Sequence, residues 1–304
     1  MDVSVIIVNY NTKELVMPCI RSIVTYTCDI AYEIIVVDNH SEDDSLEAIR
    51  TEFPQVKLIE NDTNVGFGAA NNMGMKVASG TYLLLLNSDT LIQNNAIKLF
   101  YDFYTHYAEG NIGALGTILR DKNDNIVHSS GRYPSMWRTI HDVLSGYVER
   151  GYLIRKRGQE MYCYDASTPF YMVDYITGAD LFVKASVMEQ FNGFDPAFFM
   201  YFEDADLQYR MGKPSGGYQR IIMKEPKIVH LEGRSDERPD FSTARRMQHE
   251  TSMFYYFRKH SKYWNYLLFR ILYFVIRIPI VFDSRLHTKE KRVYLQFLQS
   301  RLKV

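Results

Sequence analysis

Residues 82–90 read YLLLLNSDT. Four leucines in a row describe a short strand buried on both faces, closed by the polar Asn87, Ser88, Asp89 and Thr90. The same pattern recurs upstream. VSVIIV at 3–8 is closed by Asn9, Tyr10 and Asn11, EIIVV at 33–37 by Asp38 and Asn39, and a third strand runs over 56–60. Helical spacing predicts helices over 13–25, with Thr12 as a cap, and over 45–53. The Gly-rich turn NVGFGAANN at 64–72 opens a third helix. Strands alternating with helices predict an α/β fold with a mainly parallel sheet and right-handed crossovers. The polar residues gather just after the strands, at the edge where open α/β sheets bind ligands.

Downstream the pattern loosens. A strand is predicted over 112–119, loops and short elements around an acceptor site over 120–170, and a strand over 175–183 with a bend at Gly178. A loop at 212–217 and short strands at 219–223 and 227–230 follow. From residue 242 the chain is helical in character. This divides it into a domain of 1–240, with a regular half (1–119) and a looser half (120–240), and a tail of 241–304.

The 304 residues are 46% hydrophobic and 23% charged, with a net charge of −1. That balance is ordinary for a globular protein and gives no electrostatic case for nucleic-acid binding. Cys19, Cys28 and Cys163 are odd in number and lack metal-ligand spacing, so they read as reduced thiols of a cytoplasmic protein. The run beginning at Val3 has no basic stretch before it and is too short for a secretory signal. No uncharged apolar run reaches the ~18–20 residues of a spanning helix.

Three places carry chemistry. FDPAFFMYFEDADLQYR at 194–210 leads five apolar and aromatic residues into Glu203, Asp204 and Asp206. A carboxylate partly desolvated by aromatics makes a better general base; the same acids also suit a helix N-terminus. Asp89, at the end of a buried strand, can hold a hard cation or cap the next helix. His230, ending another short strand, can be a ligand or a hydrogen-bonded core histidine. Asp38 can accept a hydrogen bond from a base or ribose, or close an Asx-turn. Gly66-Phe67-Gly68-Ala69-Ala70-Asn71 approaches the dinucleotide-binding fingerprint, with Asp89 about 20 residues on. Asn71 replaces its third glycine, however, and the turn follows the third strand rather than the first.

Taken together, VSVIIVNYN (3–11), EIIVVDNHSED (33–43), NVGFGAANN (64–72), YLLLLNSDT (82–90), TGADLFV (177–183), GFDPAFFMYFEDADLQYR (193–210) and HLEGRS (230–235) resemble a family 2 glycosyltransferase of the GT-A fold. The likeness is to the bacterial rhamnosyltransferase branch, covers roughly residues 3–235, and implies a catalytic domain with a nucleotide-binding half (1–119) and an acceptor half (120–240). It implies inverting, metal-dependent transfer from a UDP- or dTDP-linked sugar to a glycan acceptor in surface polysaccharide synthesis. By the resemblance, Asn9, Tyr10, Asn11, Asp38, Asn64, Gly66, Asn71 and Ser88 serve the nucleotide. Asp89 and His230 hold Mn²⁺ or Mg²⁺, and Arg234 and Ser235 hold the diphosphate. Asp204 is the base, with Glu203 second. Asn87 departs from the first Asp of the family's D-x-D motif. No Q-x-x-R-W follows the base, so one sugar per event is expected. A catalytically lapsed sugar-nucleotide-binding or scaffold protein and a Rossmann-type NAD(P) oxidoreductase are the alternatives.

WNYLLFRILYFVIRIPIVF at 264–282 places Arg270 and Arg277 on one helix face with apolar residues around the rest, and Pro279 should end the helix. Arg285, Lys289, Lys291, Arg292, Arg301 and Lys303 follow, against Asp283 and Glu290. An amphipathic and then basic tail suits peripheral binding to an anionic membrane at the inner face of the cytoplasmic membrane, where a lipid-linked acceptor would reside. The competing reading is a core helix or a homo-oligomer contact.

Overall fold

A computed structural model describes residues 1–107, 109–150, 168–212, 217–231, 243–282 and 286–303. The first half alternates as expected: β1 (Val3–Asn9), α1 (Lys13–Tyr26), β2 (Tyr32–Asp38), α2 (Ser45–Glu52), β3 (Lys57–Glu60), α3 (Phe67–Val77) and β4 (Tyr82–Asn87). It continues with β5 (Thr90–Ile92), α4 (Ala96–His106), β6 (Ile112–Thr117), β7 (Ser130–Gly131), α5 (Met136–Arg150), β8 (Phe170–Met172), β9 (Tyr175–Ile176), β10 (Asp180–Lys184), α6 (Ala185–Gln190) and α7 (Glu203–Gly212). Then come β11 (Gln219–Met223), β12 (Ile228–His230), α8 (Thr243–His260), α9 (Tyr263–Arg277), a 3₁₀ turn (Ile278–Phe282) and α10 (Thr288–Leu302).

The chain divides into two compact units, Met1–Tyr133 with Met161–Glu237, and Pro134–Glu160 with Arg238–Val304. The segment from Pro134 thus clusters with the C-terminal helices, where the sequence reading assigned it to the acceptor half.

In the first unit an eight-stranded sheet runs in the order β3-β2-β1-β4-β10-β6-β11-β8. All its strands except β8 and β10 point the same way. Alternation along each strand sends Val5, Ile7, Val36, Leu84 and Leu86 to one core and Ile6, Ile35, Leu83, Leu85 and Leu181 to the other. Helices cover both faces, which is why these strands read as unbroken apolar runs. Phe182 of β10 stacks between Tyr82 and Phe100, 5.5 Å from each ring. The register pairs Asn9 with Asp38, Asp38 with Glu60, and Val8 with Asn87. The polar residues that closed each strand in the sequence therefore line one edge of the sheet.

Two expectations change. The strand foreseen over 175–183 is two strands, β9 and β10, broken at Thr177-Gly178-Ala179. In the stretch taken for loops and short elements lies α5, a 15-residue helix. Its apolar Trp137, Ile140, Val143 and Leu144 recur at helical spacing, and its partner within the second unit, α9, is remote in sequence.

The second unit is held by a buried polar knot. Glu250 of α8, 2% exposed, accepts hydrogen bonds from Tyr273 (2.8 Å) on α9 and Tyr294 (2.7 and 2.9 Å) on α10. Arg277 lies 3.5 Å from the same carboxylate and donates to the Tyr273 hydroxyl at 2.9–3.0 Å. Arg270 donates to the Arg301 carbonyl at 2.5 Å. The two arginines of α9 do share a face, but it is the buried one.

Candidate active site

The strand-end edge of the first unit carries a hydrogen-bonded cradle. Asn9 Nδ2 donates to Asp38 Oδ1 (2.7 Å), Ser45 Oγ (2.8 Å) and Ser41 Oγ (3.1 Å). Asp38, 1% exposed, also accepts from the Ser41 hydroxyl (2.6 Å) and backbone N–H (2.8 Å). Thr12 does not cap α1 with its side chain. Its hydroxyl donates to Asn9 Oδ1 at 2.7 Å and sits 3.1 Å from Ser88 Oγ. Asp43, from the β2–α2 loop, takes over the N-terminus of α1 by accepting the Lys13 N–H at 2.9 Å. The ends of β1, β2 and β4 are therefore wired into one polar platform. Tyr10 is 47% exposed, and Asn11, in the left-handed region at φ 52°, joins the platform by donating its N–H to Ser41 Oγ at 2.9 Å.

A second layer joins the Gly-rich turn to the aromatic stretch before α7. Asn64 Oδ1 accepts the Gly66 N–H at 3.0 Å. Gly66 has φ 88°, and a Cβ there would lie 2.3 Å from the Phe199 carbonyl oxygen. That carbonyl accepts the Phe67 N–H at 2.9 Å. The glycine thus serves a close approach of two backbones. Asn72 clasps Phe194, donating to its carbonyl (2.8 Å) and accepting its N–H (3.0 Å). Tyr201 and Phe202 both adopt positive φ, 70° and 69°. Consecutive bulky residues there are sterically unfavourable and cluster at functional loops. They deliver the chain to Glu203 at the start of α7.

The two acids that follow differ sharply. Glu203 is 6% exposed, and its Oε2 is buried with no hydrogen-bond partner. Burial, and then repulsion from Asp204, push its carboxyl up to about 8, so it carries a proton at neutral pH. Asp204 is only partly buried. Its oxygens accept the backbone N–H groups of Gly178 (3.2 Å) and Ala205 (2.7 Å). The break between β9 and β10 supplies the first of these. The next residue, Ala179, accepts the Asn87 N–H at 3.0 Å. The turn 177–179 therefore touches both the acid of α7 and the end of β4.

The end of β4 leads to Asp89, which meets His230: Oδ1 and Nε2 are 3.2 Å apart. The antiparallel β5–β12 pair brings them together, with His230 opposite Thr90 and the Leu231 N–H donating to the Asp89 carbonyl at 2.9 Å. No cluster of three or more His, Cys, Asp or Glu suited to a metal occurs among the described residues. A carboxylate and an imidazole together nonetheless match the donors that Mn²⁺ accepts, and diphosphate oxygens can complete such a shell.

Residues 4–160 match the model of Glycosyl transferase family 2, more than half of the 304-residue chain. The chain belongs to this family. This glycosyltransferase is 26% identical over 243 residues to the N-acetylglucosaminyl-diphospho-decaprenol L-rhamnosyltransferase of Mycobacterium tuberculosis, which spans 76% of each chain. It is 36% identical over 108 residues to a poly(ribitol-phosphate) beta-glucosyltransferase of Bacillus spizizenii, covering 34% of this chain and 17% of that one. Its fold resembles that of S. aureus TarS 1-349, solved in complex with UDP-GlcNAc, with a TM-score of 0.56 at 15% identity, over 99% of this chain and 80% of that one. The fold is GT-A.

In the glycosyltransferase several sequence-named residues are structural in their visible contacts. Asn71 is 1% exposed and donates to the Phe67 carbonyl at 3.1 Å. Asp38 spends both oxygens within the cradle. Arg234 and Ser235 lie outside the described residues, as does Cys163; Cys19 and Cys28 are free thiols. The fingerprint-like turn backs onto Phe199, which removes the feature that suggested a dinucleotide. Some residues went unnoticed in the sequence. Gln208 of α7 exchanges hydrogen bonds of 2.7 and 2.8 Å with both backbone groups of Ile176 in β9, which sets α7 against the 177–179 turn. Asp180 is fully buried and pushed well above the carboxylate range by that burial, although it accepts the Thr117 N–H. A polar residue inside an otherwise apolar run was the available signal for Asp180; Gln208 had none.

Proposed function

We propose that this glycosyltransferase transfers one hexosyl or deoxyhexosyl unit per event, with inversion, from a UDP- or dTDP-linked donor to a glycan acceptor. The observation that carries the reading is the contrast at the start of α7: a buried Glu203 whose Oε2 has no hydrogen-bond partner beside a partly exposed Asp204 bonded to backbone N–H groups. In this reaction Asp204 takes the proton of the acceptor hydroxyl. The acceptor oxygen forms its bond to the anomeric carbon as the bond to the diphosphate breaks on the opposite face. The nucleoside diphosphate leaves with the electron pair. Proton removal of this kind contributes typically about 10²–10⁴-fold. Buried and protonated Glu203 keeps a second negative charge away from the incoming donor.

Asp89 and His230 would hold a divalent cation, Mn²⁺ or Mg²⁺. When bound, such a cation neutralises charge building on the departing diphosphate. The platform of Asn9, Asp38, Asn11 and Ser88, with the exposed Tyr10, orients the nucleoside; Asn64 and Gly66 shape the adjoining turn, and Arg234 and Ser235 grip the diphosphate. The Mycobacterium tuberculosis relative is named for a polyprenyl-diphosphate acceptor, which supports a lipid-linked glycan acceptor. That in turn supports work at the inner face of the cytoplasmic membrane in surface polysaccharide synthesis.

The test is a thermal-shift panel of UDP, dTDP and GDP with and without Mn²⁺, followed by donor turnover. A ligand at ~100 times its dissociation constant stabilises by about 2.7 kcal/mol. A shift with UDP or dTDP that needs Mn²⁺, followed by turnover, is the expected result. A shift without turnover of any donor would favour a lapsed binding protein, and no shift would remove the proposal.

A further inference from the structure

We propose that the second unit is a membrane-docking platform whose contact element is the outward face of α9, lying in the headgroup–acyl boundary of an anionic lipid bilayer. The polarity of α9 is the reverse of the one its sequence suggests. Its buried face carries Tyr266, Phe269, Arg270 and Tyr273, with Arg277 committed to Tyr273 and Glu250. Its outward face carries Trp264, Leu268, Ile271 and Val275, which are 75%, 46%, 48% and 54% exposed. Spacings of four, three and four place these four side chains on one stripe. Ile278 and Phe282 of the 3₁₀ turn, 40% and 84% exposed, follow it. A row of large apolar side chains facing water is costly, and their regular spacing marks a surface that is meant to be covered.

Two observations select a lipid surface as the occupant. The first is charge. Residues 241–304 hold thirteen Lys and Arg against three Asp and Glu, in a chain whose net charge is −1; the excess remains with Arg270 and Arg277 drawn inside. Arg258, Lys259 and Lys262 are exposed just before the stripe, as are Lys289 and Arg292 on α10 and Lys303 directly after it. Two copies meeting through this basic segment would have to bring like charges near one another, whereas an anionic leaflet complements them. The second is the aromatic composition. Tyr263 and Trp264 open the stripe, 65% and 75% exposed, and Trp137 of α5 in the same unit is 63% exposed. Trp and Tyr favour the boundary between headgroups and chains. No helix of the described residues is long and apolar enough to cross a membrane, so the geometry is one of lying on the bilayer.

This deepens the lipid-linked-acceptor reading above, and its test separates the two. Full-length chain is sedimented with vesicles of phosphatidylcholine alone and of equal phosphatidylcholine and phosphatidylglycerol, at low and high salt. Binding to the anionic vesicles, weakened by salt, is expected. The triple variant Leu268→Gln, Ile271→Gln, Val275→Gln should lose about tenfold or more in vesicle affinity while turning over donor with a water-soluble acceptor as before. Trp264→Gln, a single change at the most exposed position of α9, gives the same direction should the triple variant melt early. Indole emission should shift to the blue on binding in a Trp137→Phe background. Absence of sedimentation with anionic vesicles, or sedimentation unchanged in both variants, overturns the inference. So does a concentration-dependent dimer abolished by the triple variant without vesicle binding, which would assign the face to a second copy. A chain that ignores vesicles yet turns over donor sinks this inference alone; one that binds vesicles but turns over no donor sinks the transferase reading alone.

Discussion

Asp204 accepts the backbone N–H of Gly178 at 3.2 Å, and the residue after that glycine accepts the N–H of Asn87. One three-residue turn thereby ties the acid of α7 to the strand end that leads to Asp89. Replacing Asp204 by Asn keeps the shape and removes the proton acceptor. Turnover should fall by about 10²–10⁴-fold with nucleotide affinity unchanged. Near wild-type turnover in a steady-state assay would remove Asp204 from the role of base.

Asp89→Ala takes away the carboxylate beside His230. Nucleoside-diphosphate affinity measured by calorimetry in Mn²⁺ should then drop to its value in chelator. If the Mn²⁺ enhancement survives intact, the Asp89–His230 pair is not the cation site.

Glu203 gives a pH dependence with a definite sign. Its folded carboxyl is raised to about 8 by burial and by Asp204, against about 4.3 in an unfolded chain. The folded state holds this proton more tightly. The contribution to stability is thus complete below the unfolded value and is lost as pH rises through about 8. Melting temperature should fall between about pH 5 and pH 8 in the wild type, levelling off above that, and fall less in Glu203→Gln. Parallel melting curves for the two would contradict the assignment.

Gly66→Ala places a methyl 2.3 Å from the Phe199 oxygen at a φ of 88°. Gly217→Ala is the control, since its φ is 60° and nothing lies within 4 Å of the added carbon. Backbone strain of this kind costs about 1–3 kcal/mol, and the clash adds to it only at Gly66. Urea melts should show the Gly66 variant as the less stable of the two. Equal losses would mean that the contact between the two loops adjusts freely.

Glu250→Gln removes the charge opposite buried Arg277. Breaking one partner of a buried ion pair costs roughly 3–5 kcal/mol, so the second unit should lose protection in hydrogen exchange across α8, α9 and α10. Unchanged protection would show that the two tyrosines alone hold the knot.

Much of this was determined by the sequence by itself. Short apolar runs closed by polar residues, at βαβ spacing, require strands buried on both faces, so the parallel half of the sheet and its ligand edge follow from local pattern. The positions of Asn9, Asp38 and His230 at strand ends, and of Asp89 just beyond one, follow from the same pattern, while the acids at 203–206 mark a helix start. The tertiary structure alone decided how those residues are used. Asp38 is drawn into the cradle by Asn9, 29 residues away, which reaches it only once β1 and β2 pair; the Asn71 bond to the Phe67 carbonyl, by contrast, is local to α3. Glu203 and Asp204, adjacent in sequence, acquire opposite characters because α7 turns one inward and the other toward a backbone break. The spacing of Trp137, Ile140, Val143 and Leu144 fits a helix at 136–150, but its partner, α9, is distant along the chain and is supplied only by the tertiary structure. The same distance hid the fate of Arg270 and Arg277: their partners, Glu250 on α8 and the end of α10, draw the charges into the core. Apolar side chains are left on the outside. Burial of a charge depends on what meets it in space, and sequence spacing records only which residues share a face.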